Sequence, residues 1–280
     1  MPPQLKFLKT AFNIPVTKDS NTPLDLLIEI GQNGIACMWL SNHPLTVQGL
    51  VMYHLEENDQ LPEMLTSIFE SPAMTAVTPS SVHICYNFKE SLLVPDLYHE
   101  QGLNGAMLSL MFGEQDPTLV ETEAIARNSI HNVYRVPAEA AAMIKKQFQG
   151  AVFHHSTSLQ LTEIVKDDLL QCIVFHNCIK VILHKDGQLQ LVQQFGYSKP
   201  DDVAYHLINT CQQHNCIPGD IKLRLCGMVD RDSILYNRLH NYFLHIDFAE
   251  IAPGINVQEA ISDLPAHFFS HLTNLAACVL

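Results

Sequence analysis

Positive charge is scarce in this sequence: sixteen Lys and Arg stand against twenty-nine Asp and Glu, a formal net charge of −13. Such a balance repels polyanions, which argues against a nucleic-acid surface and against docking on anionic lipid. Charge of either sign is sparse as well, at 16% of residues against 47% hydrophobic, so global disorder is excluded and a large interior is implied. The eight cysteines (Cys37, Cys85, Cys172, Cys178, Cys211, Cys216, Cys226 and Cys278) include no C-x-x-C pair. A secreted disulfide framework and a paired-cysteine zinc site are therefore not expected, and most of these thiols read as reduced core residues. The chain also lacks a G-x-S-x-G elbow and a G-x-x-x-x-G-K-S/T loop, which removes the hydrolases and nucleotidases those motifs build. Met1-Pro2-Pro3-Gln4-Leu5-Lys6-Phe7 breaks any apolar run at once, so no signal peptide and a cytoplasmic location are expected.

What is present is a series of short apolar runs punctuated by turns. Residues 30 to 55 carry no Asp, Glu, Lys or Arg, yet Gln32-Asn33-Gly34, Ser41-Asn42-His43-Pro44 and Gln48-Gly49 interrupt them, so they read as buried strands rather than a membrane span. Leu24–Ile30 and Ile35–Leu40 form a hairpin, and Thr46–Leu55 a third strand. Asn58-Asp59 and Pro62 announce a helix over Leu61–Glu70, followed by a fourth strand at Ser81–Phe88. A helix over Leu97–Phe112, an exposed acidic loop at Gly113–Pro117, a strand at His131–Val136 and a helix from Pro137 complete the first half. In the second half, Leu169–Phe175, Cys178–His184 and Gln188–Phe195 form a three-strand meander. A helix opens at Pro200-Asp201-Asp202, a strand follows at Ile221–Cys226, and Asp230 or Asp232 caps a helix before a last strand at Phe243–Phe248.

The same order, three strands, helix, strand, helix, strand, thus occurs twice, and aligning the two hairpin turns offsets the halves by about 144 residues. The length supports two domains of roughly 150 residues. We read an internal duplication, with residues 1–150 as one half and 151–280 as the other. This is the order of the ribonuclease-H-like halves of the actin superfamily. More closely, the chain resembles a bacterial family of uncharacterised proteins with an actin-like ATPase fold, distantly similar to pilus-assembly and cell-division actin relatives. The likeness is best over Leu169–Phe243, where Gly187, Phe195, the helix from Pro200 and Leu225-Cys226-Gly227 stand in the family order.

The resemblance implies an α/β fold of two ribonuclease-H-like halves. It implies a cleft between them, lined by Glu29, Gly31, Phe175, His176 and Gly227, in which active members hold ATP and a metal with the two hairpin turns. In this sequence the first turn, Glu29-Ile30-Gly31-Gln32-Asn33-Gly34, keeps an acid and a glycine, with Gln32 where Ser or Thr is usual. The second turn, Phe175-His176-Asn177-Cys178, has neither. The adenosine loop, Gly227-Met228-Val229-Asp230, has one glycine where consecutive ones are usual, and Met228 and Val229 are expected to intrude on the base. Glu29, Gly31, Gln32, His176, Asn177 and Gly227 are therefore the residues of a degenerate cleft. The expected function is nucleotide-independent binding or scaffolding without a cofactor, through a protein partner or self-association; the alternative is weak ATP binding or hydrolysis with magnesium.

Other constellations read as structural. His267-Phe268-Phe269-Ser270-His271 has zinc-compatible spacing but fits an amphipathic terminal helix. Asp167-Asp168 and Asp201-Asp202 read as dipole and capping acids at helix starts. A two-metal nuclease needs converging carboxylates, and Glu29 and Glu90 could approach each other across the first sheet, but the second half has no acid in its first strand and the net charge opposes that chemistry.

Overall fold

The structure, a computed structural model, describes residues 9–16, 22–56, 60–115 and 117–280. The readings at Met1–Phe7, Asn58-Asp59 and Asp116 lie outside these residues. Two compact units are formed, the first by Met1–Thr162 with Ile255–Gln258 and Cys278–Leu280, the second by Glu163–Gly254 with Glu259–Ala277.

The first unit begins β1 (Lys9–Ile14), β2 (Leu24–Gly31), β3 (Gly34–Asn42), β4 (Leu45–His54), α1 (Leu61–Phe69), α2 (Pro72–Thr75) and β5 (Val82–Tyr86). It continues with β6 (Ser91–Pro95), α3 (Asn104–Phe112), β7 (Thr118–Ile125), β8 (Ile130–Pro137), α4 (Ala138–Gln147), β9 (Val152–His155) and α5 (Ser156–Gln160). The second unit holds β10 (Leu169–Val174), β11 (Cys178–Lys185), β12 (Gln188–Gly196), α6 (Pro200–Gln213), β13 (Lys222–Gly227), α7 (Ile234–His240) and β14 (His245–Phe248). β15 (Asn256–Val257) belongs to the first unit and pairs in parallel with β4, whereas α8 (Glu259–Ser262) and α9 (Ser270–Val279), as far as Ala277, belong to the second.

Both main sheets have one topology. In the second unit the strand order is β12-β11-β10-β13-β14, and in the first the corresponding five are β4-β3-β2-β5-β9, with β1 added at the edge. Pairings agree too: antiparallel through each meander, then parallel across β2–β5–β9 and β10–β13–β14. A central strand of such a sheet is covered on both faces, and β2 accordingly buries every one of its residues. The charge-free stretch of residues 30 to 55 is these strands, and among the described residues no helix is long and apolar enough to cross a membrane.

Local chemistry explains the helices. Pro200 opens α6, and the Asp202 carboxylate accepts from the Ser198 and Lys199 amides at 2.9 and 3.0 Å, satisfying donors that a helix start leaves unpaired. The inward stripe of α6, Val203, Leu207 and Cys211, packs with Leu223, Leu225 and Leu239. Leu207 and Leu225 are wholly buried. Replacing either with alanine is expected to cost about 2–5 kcal/mol in chemical denaturation, and losses under about 0.5 kcal/mol at both would contradict this core.

Three local readings need correction. The cap of α7 is Ser233, whose Oγ accepts from the Tyr236 amide at 3.1 Å, rather than Asp230 or Asp232. Asp167-Asp168 stands before a strand, and Asp168 accepts from the Asp186 amide at 2.7 Å in the β11–β12 turn, so it caps no helix. The largest difference is between β5 and α4. Residues 97 to 112 are two 3-10 turns and the shorter α3. His131–Val136 is a strand but not the fifth of the main sheet; as part of β8 it pairs with β6 and β7 in a separate three-stranded antiparallel sheet. The fifth strand is β9. The offset between halves is 144 from Gly34 to Cys178 but 93 from Val152 to His245, because this inserted sheet occurs in the first half alone.

Candidate functional site

The two hairpin turns are built alike, each within its own unit. In the first, Gly31 pairs with Gly34 over Gln32-Asn33, and the Leu55 amide donates to the Asn33 carbonyl at 3.1 Å. In the second, the Phe175 amide donates to the Cys178 carbonyl at 2.9 Å over His176-Asn177, and the Tyr197 amide donates to the Asn177 carbonyl at 3.0 Å. Gln32 thus corresponds to His176, Asn33 to Asn177 and Gly31 to Phe175. Gln32 and His176 are both exposed.

Backbone crowding, which no local pattern reveals, explains both Gly31 and Gly227. A Cβ on Gly31 would lie 2.7 Å from the Asn87 carbonyl oxygen, because the chain leaving β5 passes directly beside it and Asn87 donates its amide to Ile30 at 2.8 Å. Gly227 has φ +83° and a Cβ there would lie 2.2 Å from the Val174 carbonyl. That carbonyl accepts from the Met228 amide at 2.8 Å. Each glycine therefore serves a close approach within its own sheet.

The second turn carries a bulky side chain where the first has a glycine. Phe175, at the position of Gly31, packs with Ile173, Cys226 and Ala249, its ring meets His271 edge-on at 5.6 Å, and Tyr197 Oη donates to its carbonyl at 2.8 Å. Glu29 is 5% exposed and projects from the face of β2 opposite Ile28 and Ile30. Its neighbour across the parallel pair is Cys85, whose thiol is pushed well up, first by burial and then by the Glu29 charge. The expectation for Val229 is corrected: its side chain lies in the core of the second unit and its carbonyl accepts from His267 Nε2 at 2.7 Å, while Met228 is half-buried.

His267 and His271 do not share a helix; the first lies in a 3-10 turn and the second in α9, and His267 is spent on the Val229 carbonyl. No cluster of metal-ligating side chains is formed among the described residues. Glu90 is ion-paired with Arg135 at 3.4 Å, both buried, which withdraws it from any role in a two-metal site with Glu29. Asn87 and Tyr197 escaped the sequence reading. The signal they offer is positional, as each follows a strand of its half at the turn.

Buried imidazoles give the fold a pH dependence. Burial lowers His83, His154, His184 and His267 below the ordinary value of 6.5, with His154 adding to the effect on His83. The unfolded chain binds protons at these groups below pH 6.5 while the folded one resists, so their contribution is complete above 6.5 and is lost as pH falls from there through the lower folded values. Glu123, raised mainly by burial, opposes this as one carboxyl against four rings. The denaturant midpoint is expected to be lower at about pH 5.5 than at about pH 7.5; an equal or higher midpoint at the acid side would contradict it.

Comparison with solved structures defines the class. A Bacteroides thetaiotaomicron protein with an actin-like ATPase fold and unknown function matches 93% of this chain and 99% of its own at TM-score 0.74 and 15% identity. The type IV pilus biogenesis complex of PilM and PilN matches 91% and 98% at TM-score 0.64 and 11% identity. The ethanolamine utilization protein EutJ of Carboxydothermus hydrogenoformans matches 94% and 92% at TM-score 0.51 and 6% identity. The fold is that of the actin-like ATPases. Residues 15–246 match the family described as a protein of unknown function, DUF3822, and the chain belongs to that family. No curated protein matches the sequence.

Proposed function

We propose that this protein acts by binding another protein, without nucleotide, on a degenerate actin-like framework in the cytoplasm. The observation that carries this reading is Phe175. The position that corresponds to Gly31 holds a phenyl ring laid on the core of the second unit, and neither an acid nor a glycine stands in that turn. A phosphate grip needs bare backbone and free amides there. The glycine of the adenosine loop is likewise consumed by the Val174 carbonyl. The donor set fits ATP and magnesium poorly, and no catalytic step is assigned to them. A cytoplasmic setting agrees with eight cysteines that form no disulfide, six of them buried. One neighbour of the same fold is solved as a complex between two pilus-biogenesis proteins, so the framework is compatible with protein capture.

Weak binding of Mg-ATP is the competing reading, favoured by Glu29 and Gly31 in the first turn. Titration calorimetry and thermal denaturation with Mg-ATP separate the two. No isotherm, no ATP-dependent rise in Tm and no ATPase activity above a Glu29→Ala control are expected. A rise of several degrees that Glu29→Ala abolishes would overturn the proposal.

A further inference from the structure

The stretch of the first unit that leads into and forms α3 exposes an unusual number of large apolar side chains. α3 turns Asn104 and Leu108 inward, where Asn104 Nδ2 donates to Thr122 Oγ1 at 2.8 Å and Leu108 packs with Val94 and Val133. Its outward face holds Leu103, Ala106 and Leu110 at spacing i, i+3 and i+7, positions that a surface helix normally gives to polar residues. Leu110 is 86% exposed and Met111 61%, and the preceding turns add Leu97 at 84% and Tyr98 at 70%. Large apolar side chains exposed singly need no explanation, but five within one short segment do.

This surface is held rigidly. Arg135 donates to the Gly113 carbonyl at 2.8 Å and to Ser109 Oγ at 2.7 Å, fixing the carboxyl end of α3 to β8. At the other end His99 Nε2 lies 3.4 Å from Asn104 Nδ2, and its ring stacks on His131 at 3.8 Å. The preceding turns are thereby tied to the same sheet.

Charge selects the occupant. Between Glu90 and Ala126 the sequence has no Lys or Arg, and while Glu90 is taken up by Arg135 and Glu123 by the His155 amide, other acids of the stretch stay at the surface. Asp96, Glu100 and Glu114 are exposed in the same stretch of chain as the apolar side chains, Asp96 with His131 Nδ1 at 3.0 Å, Glu100 before α3 and Glu114 after it. Anionic bilayers are repelled by such acids, and a two-fold pairing of this face with itself would set like charges against each other. An apolar stripe flanked by Lys or Arg satisfies both features at once. We infer that this face receives a cationic amphipathic helix of a partner protein. The inference rests on the reading above, that the protein works by binding a partner, and gives that partner its chemistry.

The probe is a synthetic Leu/Lys amphipathic helix, with a Leu/Glu helix of the same pattern as control, titrated by fluorescence against the full chain. Binding of the Leu/Lys helix is expected, with little or none of the Leu/Glu helix. The double substitution Leu110→Ser and Met111→Ser, at side chains exposed enough to spare folding, should weaken it by about tenfold or more. Glu100→Gln with Glu114→Gln should flatten its salt dependence. Equal binding of both helices, or binding that the serine variant leaves unchanged, would overturn the inference. So would concentration-dependent dimerisation, or flotation with phosphatidylcholine or phosphatidylglycerol vesicles, that the serine variant abolishes, since these assign the face to a second copy or to lipid. Repeating the titration with Mg-ATP keeps the two readings apart: an ATP-dependent Tm shift defeats nucleotide independence, whereas failure of the Leu/Lys helix to bind defeats only the assignment of this face.

Discussion

Replacement of Gly227 by alanine is expected to cost about 4 kcal/mol or more, enough to unfold the second unit. Two independent effects combine. The residue sits at φ +83°, where any side chain is strained by about 1–3 kcal/mol. Its Cβ would also lie 2.2 Å from a backbone oxygen, Val174 O, that cannot rotate away because it is bonded to the Met228 amide. The strands that would have to part are β10 and β13, the centre of the sheet. Gly105→Ala in α3 is the control: open space surrounds that position, and alanine in a helix should be neutral or stabilising by about 0.5–1 kcal/mol. Circular dichroism and denaturant unfolding measure both. A Gly227→Ala protein within about 1 kcal/mol of the parent would mean that the chain leaves β13 by another path. For the same reason Gly227→Val is unsuited to probing an adenosine pocket, since it would break the sheet first.

Arg135→Met should destabilise the protein by about 3–5 kcal/mol, because it leaves the buried Glu90 carboxylate without its guanidinium partner. The Ser109 hydroxyl and the Gly113 carbonyl lose a donor in the same step. Arg135→Met combined with Glu90→Leu should recover most of the loss, since a buried pair replaced by apolar groups is often close to neutral. If the double variant is as unstable as the single, the cost comes from packing rather than from an abandoned charge.

Much of the architecture was legible because its signals are local. The β2–β4 and β10–β12 meanders follow from apolar runs and two-residue turns, and α1, α4 and α6 from apolar stripes and prolines at their starts. The inserted sheet was not legible in the same way. Thr118–Ile125 alternates weakly and carries two acids, and nothing within His131–Val136 states which sheet it joins, since strand pairing is decided by residues far away in the chain.

The amino-acid sequence by itself determined the two three-strand meanders, the apolar and acidic composition, and the lack of an acid and a glycine in the second turn, all of which are matters of residue type and spacing. Only the tertiary structure decided why the residues at these turns are what they are. Gly31 and Gly227 answer to backbones that pass at 2.7 and 2.2 Å, Phe175 folds onto Ile173 and Cys226, and Val229 belongs to the core. The physical reason is common to all four: a residue's role at these turns depends on what another strand brings beside it, and that proximity exists only once the sheet has formed.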